Sequence, residues 1–297
     1  MSDFLEQENS ICDFSNSDSW VILSPIEQSI KSKIEAVGTP LRDWDIQINY
    51  GIKTGCNEAF IIDTAKRDEI LANCQTEDER RRTEEIIRPI LRGRDIKRYS
   101  YEWANLWLIY IPWHFPYQFD NTIQGASEIA EAAFKKQYPS VYSHMLQFKE
   151  PLSKRNKAET GIRYEWYAMQ RWGANYWEDF SKPKLIYSEI VQEPQFFFDK
   201  AGQFYPEATT FIMVGESIEY LYDVLHSRIA TYIFKTFYAG GGLGNGGYRY
   251  KKAFLELLPI PKPNADFVQY DIEADLAKSY SLSEEEIAYI SSQIDIC

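Results

Sequence analysis

Apolar residues along the chain recur with two periods, and each period predicts a kind of element. In "SPIEQSIKSKIEAVG", residues 24–38, Ile26, Ile30, Ile34 and Val37 fall three or four apart, which places them along one face of a helix. Ser24 sits at the N-cap position, Pro25 takes the first helical position, Glu27 completes a capping box and Gly38 ends the helix. The longest stripe, Ile218, Leu221, Leu225, Ile229 and Ile233, predicts one continuous helix over residues 217–237. Shorter helices are expected at 66–74, 122–136 and 139–148, and "YSLSEEEIAYISSQI" reads as a small amphipathic helix late in the sequence. The other apolar runs are compact and bounded by turn residues: "DIQINY", "AFIID", residues 86–91, "LWLIYI", "KPKLIYSEI", "PQFFFD" and "ATTFIMV". These read as strands, the first two joined by a turn over residues 51–57 and the last two by "KAGQF" as a hairpin turn. Short strands mixed with unevenly placed helices predict an α+β fold, with a mixed or antiparallel sheet, packed helices and a C-terminal helical tail.

Charge divides the sequence in a way that its total of -12 conceals. Residues 1–45 carry nine acids and three bases, residues 264–297 carry eight acids and one base, and the stretch between is close to neutral. We therefore expect an acidic N-terminal tail over residues 1–19, a body over 20–262 and an acidic helical tail over 263–297. Within the body, "RRRTEEIIRPILRGRDIKR" holds eight bases against three acids. A neutral body with basic patches can bind a polyanion where the patches converge, although solvated helix faces account for the same charges.

Several function classes find no support. The longest clean apolar run, "LWLIYIPW", is far short of the roughly 18 residues that span a bilayer. The N-terminus is acidic and lacks a secretory signal pattern. Cys12, Cys56, Cys74 and Cys297 are scattered, and His114, His144 and His226 share no ligand spacing with them, which argues for a reducing cytoplasm without zinc or disulfides. Gly242, Gly244 and Gly247 formally match a dinucleotide fingerprint, but a helical pattern precedes them and the aromatic-basic "YRYKKAF" follows. A flexible loop that lets backbone approach an anionic ligand near Arg249, Lys251 and Lys252 suits them better. No two prolines are adjacent, so the Pro-Pro-Tyr motif of adenine methyltransferases is missing. Asp95-Ile96-Lys97 is the one match to half of a nuclease signature, but it lies in a basic stretch without a preceding Pro-Asp, and a surface ion pair is the favoured account. No catalytic residue and no metal ligand stands out, and the chain reads as a binder.

What it binds is suggested by "PLSKRNKAETGIRYEWYAMQRWGANYWEDFSKPK", where seven bases alternate with tyrosines and tryptophans. Arginine forks onto a guanine edge or a phosphate, and planar rings stack on bases. An aromatic core segment whose arginines snorkel to the surface fits the same pattern.

These residues carry a resemblance. "SPIEQSIKSKIEAVGTPLRDWDIQINYGIKTGCNEAFIID", "IIRPILRGRDIKRY", "WYAMQR", "FSKPKLIYSEI" and "YRYKKAFLELLPIP" resemble, in order and spacing, the C-terminal target-recognition region of TaqI-like DNA adenine methyltransferases and of type IIG restriction–modification enzymes. The resemblance extends from about residue 20 to residue 290. It implies that this chain is the readout half, sequence-specific toward double-stranded DNA and non-catalytic alone. The catalytic half, which binds S-adenosylmethionine, would lie elsewhere in the same polypeptide or in a separate subunit; no cofactor is expected in this chain. Carried over block by block, it places Lys53, Thr54 and Asn57 on a turn near DNA and sets Arg92, Arg94, Lys97 and Arg98 toward the backbone. Arg155, Arg163, Trp166 and Arg171 would enter a groove, with Arg249 and Lys251 beyond the glycine run. Two rivals remain open: a protein-interaction module that docks a catalytic subunit, and a metal-dependent nuclease centred on Asp95 and Lys97.

Overall fold

The computed structural model describes residues 23–243, 246–263 and 271–294. The acidic segment expected over residues 1–19, Cys12, Cys297 and Gly244 lie outside the described residues. The architecture is α+β, as expected. Twelve strands occur among the described residues: β1 (Thr39–Pro40), β2 (Ile46–Tyr50), β3 (Ile61–Asp63), β4 (Ile87–Leu91), β5 (Leu106–Ile109), β6 (Lys184–Ser188), β7 (Ile190–Val191), β8 (Phe196–Asp199), β9 (Tyr205–Pro206), β10 (Thr210–Gly215), β11 (Tyr248–Arg249) and β12 (Pro259–Ile260). The chain divides into two units. One combines Met1–Ile46, Ile190–Pro194 and Glu219–Cys297; the other combines Gln47–Glu189 and Gln195–Ile218.

In the first unit, helix Pro25–Val37 starts with the expected capping box: the Glu27 amide donates to Ser24 Oγ, and Glu27 Oε2 accepts from the Ser24 amide at 2.7 Å. It lies against β12, which pairs antiparallel with β1. Gly38 is required there, because a Cβ would come 2.6 Å from the Pro259 carbonyl oxygen. The single helix expected over 217–237 is broken. Helix Ile218–His226 stops, Ser227 caps a new helix over Arg228–Ile233, and Phe234–Tyr238 widens into a π-turn. The cause is local: Ser227 Oγ accepts from the Ala230 amide at 3.0 Å and donates to the Val224 carbonyl at 2.7 Å, replacing helical bonds with its own. The apolar stripe survives the break, since Leu221, Leu225, Ile229 and Ile233 are all buried. Helices Ile272–Ser279 and Glu284–Gln293 both pack on Arg228–Ile233.

The second unit holds two four-stranded sheets, in the orders β2-β10-β6-β8 and β3-β5-β4-β9. Every residue of β6 is buried, so this strand is central and takes a partner on each edge, β10 and β8, both antiparallel. That corrects the expected hairpin: the strands flanking "KAGQF" do not pair with each other. The segment after β8 instead crosses to the other sheet, where β9 pairs in parallel with β4, Ile90 opposite Tyr205 and Leu91 opposite Pro206. The turn after β2 crosses as well, because β2 and β3 belong to different sheets. Lys184, wholly buried at the start of β6, donates to Asp199 Oδ2 and to the Phe180 carbonyl, both at 2.7 Å. Beneath both sheets runs one apolar core that includes Ile52, Phe60, Leu91, Leu108, Phe134, Tyr167 and Ile212. No helix among the described residues is long and apolar enough to cross a membrane.

Candidate functional site

The crossover from β2 to β3 and the crossover from β9 back to β10 lie side by side in the second unit, and the candidate site forms where they meet. Gly51 makes the meeting possible. Its amide donates to the Thr210 carbonyl at 2.9 Å, and a Cβ at this position would stand 2.1 Å from the carbonyl oxygen of Glu207. Next along the turn, the Ile52 amide donates to the Pro206 carbonyl at 2.8 Å, while the Glu207 amide donates to Leu91 at 2.9 Å. Lys53 then pairs with Arg171 through two backbone bonds of 3.0 and 2.8 Å, leaving the Lys53 side chain exposed.

Side chains inside the turn fix its tip. Thr54, 2% exposed, donates from Oγ1 to Asn57 Oδ1 at 2.5 Å and accepts from the Cys56 amide at 3.2 Å. With its oxygen thus occupied, Asn57 donates from Nδ2 to Glu207 Oε1 at 3.1 Å. The other Glu207 carboxylate oxygen accepts from Thr209 Oγ1 at 3.4 Å, and Thr209 Oγ1 accepts from the Gly93 amide at 3.3 Å. A hydrogen-bond relay therefore runs from Thr54 through Asn57 and Glu207 to the loop after β4.

That loop supplies the far wall. Arg92 clasps Asp95 through Nε and Nη2 at 2.9 and 2.7 Å, and its amide donates to the same carboxylate at 2.9 Å. Its hydrogen bond to Asp95 raises the Arg92 pKa above its ordinary value. Burial works to raise the Asp95 pKa, but the hydrogen bonds and charge of Arg92 together outweigh it and hold the carboxyl below the usual carboxylate range. A carboxylate engaged on both oxygens by an arginine is a structural clasp, and it is buried and made with Arg92 rather than being a surface pair with Lys97. Arg94, in contrast, is exposed. Together the walls enclose two adjoining depressions of about 680 and 580 Å³ that share Asn57, Glu58 and Glu207. Arg94 lines the first, with Ser188 and Thr209; Lys53 lines the second.

The residues expected at a binding surface separate by environment. Lys53, Asn57 and Arg94 are exposed on the cleft, and Arg92 lines it. Thr54 is turned inward. Lys97 bonds the Arg94 carbonyl at 3.3 Å and pairs with Glu102 at 3.2 Å, and Arg98 lies 5.0 Å over the Tyr99 ring. Arg155, expected in a groove, is instead an internal staple: its guanidinium donates to the carbonyls of Thr54, Trp166 and Ala168. Burial lowers its pKa from the ordinary arginine value. Trp166 is buried too, its Nε1 donating to Glu131 at 2.8 Å. Arg171 donates from Nη2 to the Gly51 carbonyl at 3.1 Å and lies 5.0 Å over the Tyr50 ring. Arg163 pairs with Glu159 at 2.8 Å and lies 5.5 Å over Trp113, its side chain 60% exposed. Arg249 and Lys251 belong to the other unit, Arg249 on β11 and Lys251 just before helix Lys252–Leu255. The glycine run there leads into β11 rather than into a helix, so it offers no helix N-terminus to a pyrophosphate.

Sequence reasoning missed Glu207, Thr209, Ser188 and Glu58. A signal existed: "PEATT" sets one acid and two hydroxyls between an aromatic strand and an apolar one. Among the described residues, no group of three or more His, Cys, Asp or Glu side chains is arranged to hold a metal ion.

A family model described as the TaqI-like C-terminal specificity domain matches residues 88–260. No curated protein sequence matches. Among solved structures, the type IIL restriction-modification enzyme MmeI in complex with DNA aligns over 87% of this chain and 34% of its own, at 14% identity and a TM-score of 0.48. The type IIG restriction endonuclease BpuSI aligns over 87% of this chain and 28% of its own, at 13% identity and a TM-score of 0.47. The chain thus spans about a third of the length of these structures.

Proposed function

Because this chain belongs to the TaqI-like C-terminal specificity domain family, we propose that it is the DNA target-recognition part of an adenine-specific DNA methyltransferase, or of a restriction enzyme fused to one. The family match over residues 88–260 carries this reading. The cleft of the second unit agrees with it in chemistry. Exposed Lys53 and Arg94 offer cations for phosphates, which position a protein on the duplex without reading sequence. On the same cleft, Asn57, Glu207 and Thr209 are tied to one another and Ser188 lies beside them, offering hydrogen-bonding groups as base readout needs. Arg163 and Arg171 add positive charge nearby in sequence to the turn's partner segment.

On this reading the chain performs no chemistry itself. S-adenosylmethionine would be held by a catalytic methyltransferase domain, in the same polypeptide or as a separate subunit, which would transfer a methyl group to the N6 of an adenine flipped from the duplex. Fluorescence anisotropy with labelled duplex DNA tests the proposal. Binding is expected to weaken roughly tenfold or more between 50 and 200 mM salt. Lys53→Ala and Arg94→Ala should each weaken binding to all sequences alike and reduce the slope of log affinity against log salt by about 1. Retention of full affinity and slope by both variants refutes the cleft as the DNA surface. Failure of the parent chain to bind duplex at micromolar concentration favours a protein-docking role instead.

A further inference from the structure

We propose that Glu207 is a specificity-determining residue, accepting a hydrogen bond from the exocyclic amino group of one base in the target. The inference rests on the reading of the cleft as the DNA-facing surface, and it adds which kind of base that surface selects.

DNA presents a dense row of phosphates, and a carboxylate facing it is repelled unless it meets a hydrogen-bond donor. Glu207 is half-buried on the boundary of both depressions, between the exposed cations Lys53 and Arg94. Its hydrogen-bond partners are neutral: Asn57 Nδ2 at 3.1 Å on one oxygen and Thr209 Oγ1 at 3.4 Å on the other. Arg92 on the same wall has its guanidinium clasped by Asp95. Glu207 is therefore not the far half of a structural ion pair with that arginine. A carboxylate accepts up to about four hydrogen bonds, and two are accounted for within the protein. Acceptor capacity is left over on a group that cannot donate.

Base edges narrow the choice. The donors on them are adenine N6 and cytosine N4 in the major groove and guanine N2 in the minor groove; the other exposed groups are acceptors or the thymine methyl. An ionised carboxylate bonds the first class and repels the acceptors. Its aim is fixed in advance, because Thr54 holds Asn57 and Asn57 in turn holds Glu207. Orientation set before binding is what turns an acceptor into a discriminator, since the wrong base leaves it desolvated and unpaired.

Selection from a randomised duplex library with the full chain tests this, comparing the parent with Glu207→Gln. The amide oxygen keeps the bond from Asn57, and the Thr209 hydroxyl can turn to accept from the new amide nitrogen, so the melting midpoint should stay close to the parent's. The parent is expected to select a motif with an amino-bearing base at one position, and the variant to lose that preference while holding the other positions. Removing only that amino group from the selected duplex, with purine for adenine, 2-pyrimidinone for cytosine or hypoxanthine for guanine, should weaken the parent about tenfold. The same replacement should weaken Glu207→Gln less than about twofold. The three replacements also identify which base, and so which groove, is read. Variant binding to unselected DNA should equal or exceed the parent's, because a repelling charge is gone; a merely damaged fold lowers it. An identical motif from parent and variant overturns the role of Glu207 while leaving the DNA reading intact. A parent that enriches no DNA overturns both.

Discussion

Arg155 and Lys53 are indistinguishable as sequence features, each a cation close to aromatic residues, yet the fold gives them opposite tasks. Arg155 ties the carbonyls of Thr54, Trp166 and Ala168 together from inside, and Lys53 stands in solvent on the turn held by that tie. Arg155→Ala strips the donor from three buried acceptors and should cost about 3 kcal/mol of stability. Scanning calorimetry should show a melting midpoint lower by roughly 6–12 °C. Lys53→Ala and Arg94→Ala should stay within about 0.5 kcal/mol of the parent, as exposed substitutions do. A melting curve of Arg155→Ala that overlays the parent's would refute the staple. Nothing local marks Arg155 as internal, because one of its acceptors, Thr54, lies 101 positions away. Lys53 and Asn57 were legible because glycines bound their turn and advertise it. Glu207 escaped notice because Asn57, which holds it, lies 150 positions away on the other crossover.

Among elements, the starts of helices were legible and the pairing of strands was not. Capping at Ser24 depends on three neighbouring residues, which the sequence displays side by side. The hairpin expected around "KAGQF" failed because β6 is buried on all sides and claims both β8 and β10 as neighbours. The unbroken helix failed at Ser227, whose hydroxyl competes for backbone partners inside an otherwise faultless apolar stripe. The turn between β2 and β3 yields the sharpest test at this scale. A methyl group at Gly51 would lie 2.1 Å from the Glu207 carbonyl, so Gly51→Ala must push the two crossovers apart. Urea denaturation should register a loss of about 2 kcal/mol or more, and duplex binding should fall along with it. Unchanged stability would mean that the crossovers do not meet as closely as described.

At the scale of the whole molecule, residues far apart in sequence close the first unit. Glu286 accepts from Ser29 Oγ at 2.7 Å and from Lys33 Nζ at 2.6 Å, linking helix Glu284–Gln293 to helix Pro25–Val37. Burial works to raise the Glu286 pKa, but the bond from Lys33, the Ser283 amide and Ser29 together lower it from 4.5 to about 2. A carboxyl depressed on folding contributes its full stability above its unfolded value and loses that contribution as pH falls toward the folded one. Stability should therefore decline between pH 4.5 and about 2, and Glu286→Gln should flatten that decline. Denaturation midpoints measured across this window decide the matter, and equal slopes for parent and variant would exclude the clasp. Acidic composition at both ends was plain in the sequence; that one of those acids binds a lysine 253 residues away was not. The order of segments carries a practical consequence. The chain leaves the first unit at Ile46, returns for Ile190–Pro194 and returns finally at Glu219, so the cleft-bearing unit is an insert with defined seams. Such an insert can be treated as a cassette. A stretch bearing other side chains at positions 53, 94 and 207 can be grafted between residues 46 and 219, provided that it carries a strand able to replace Ile190 and Val191 beside Tyr248 and Arg249.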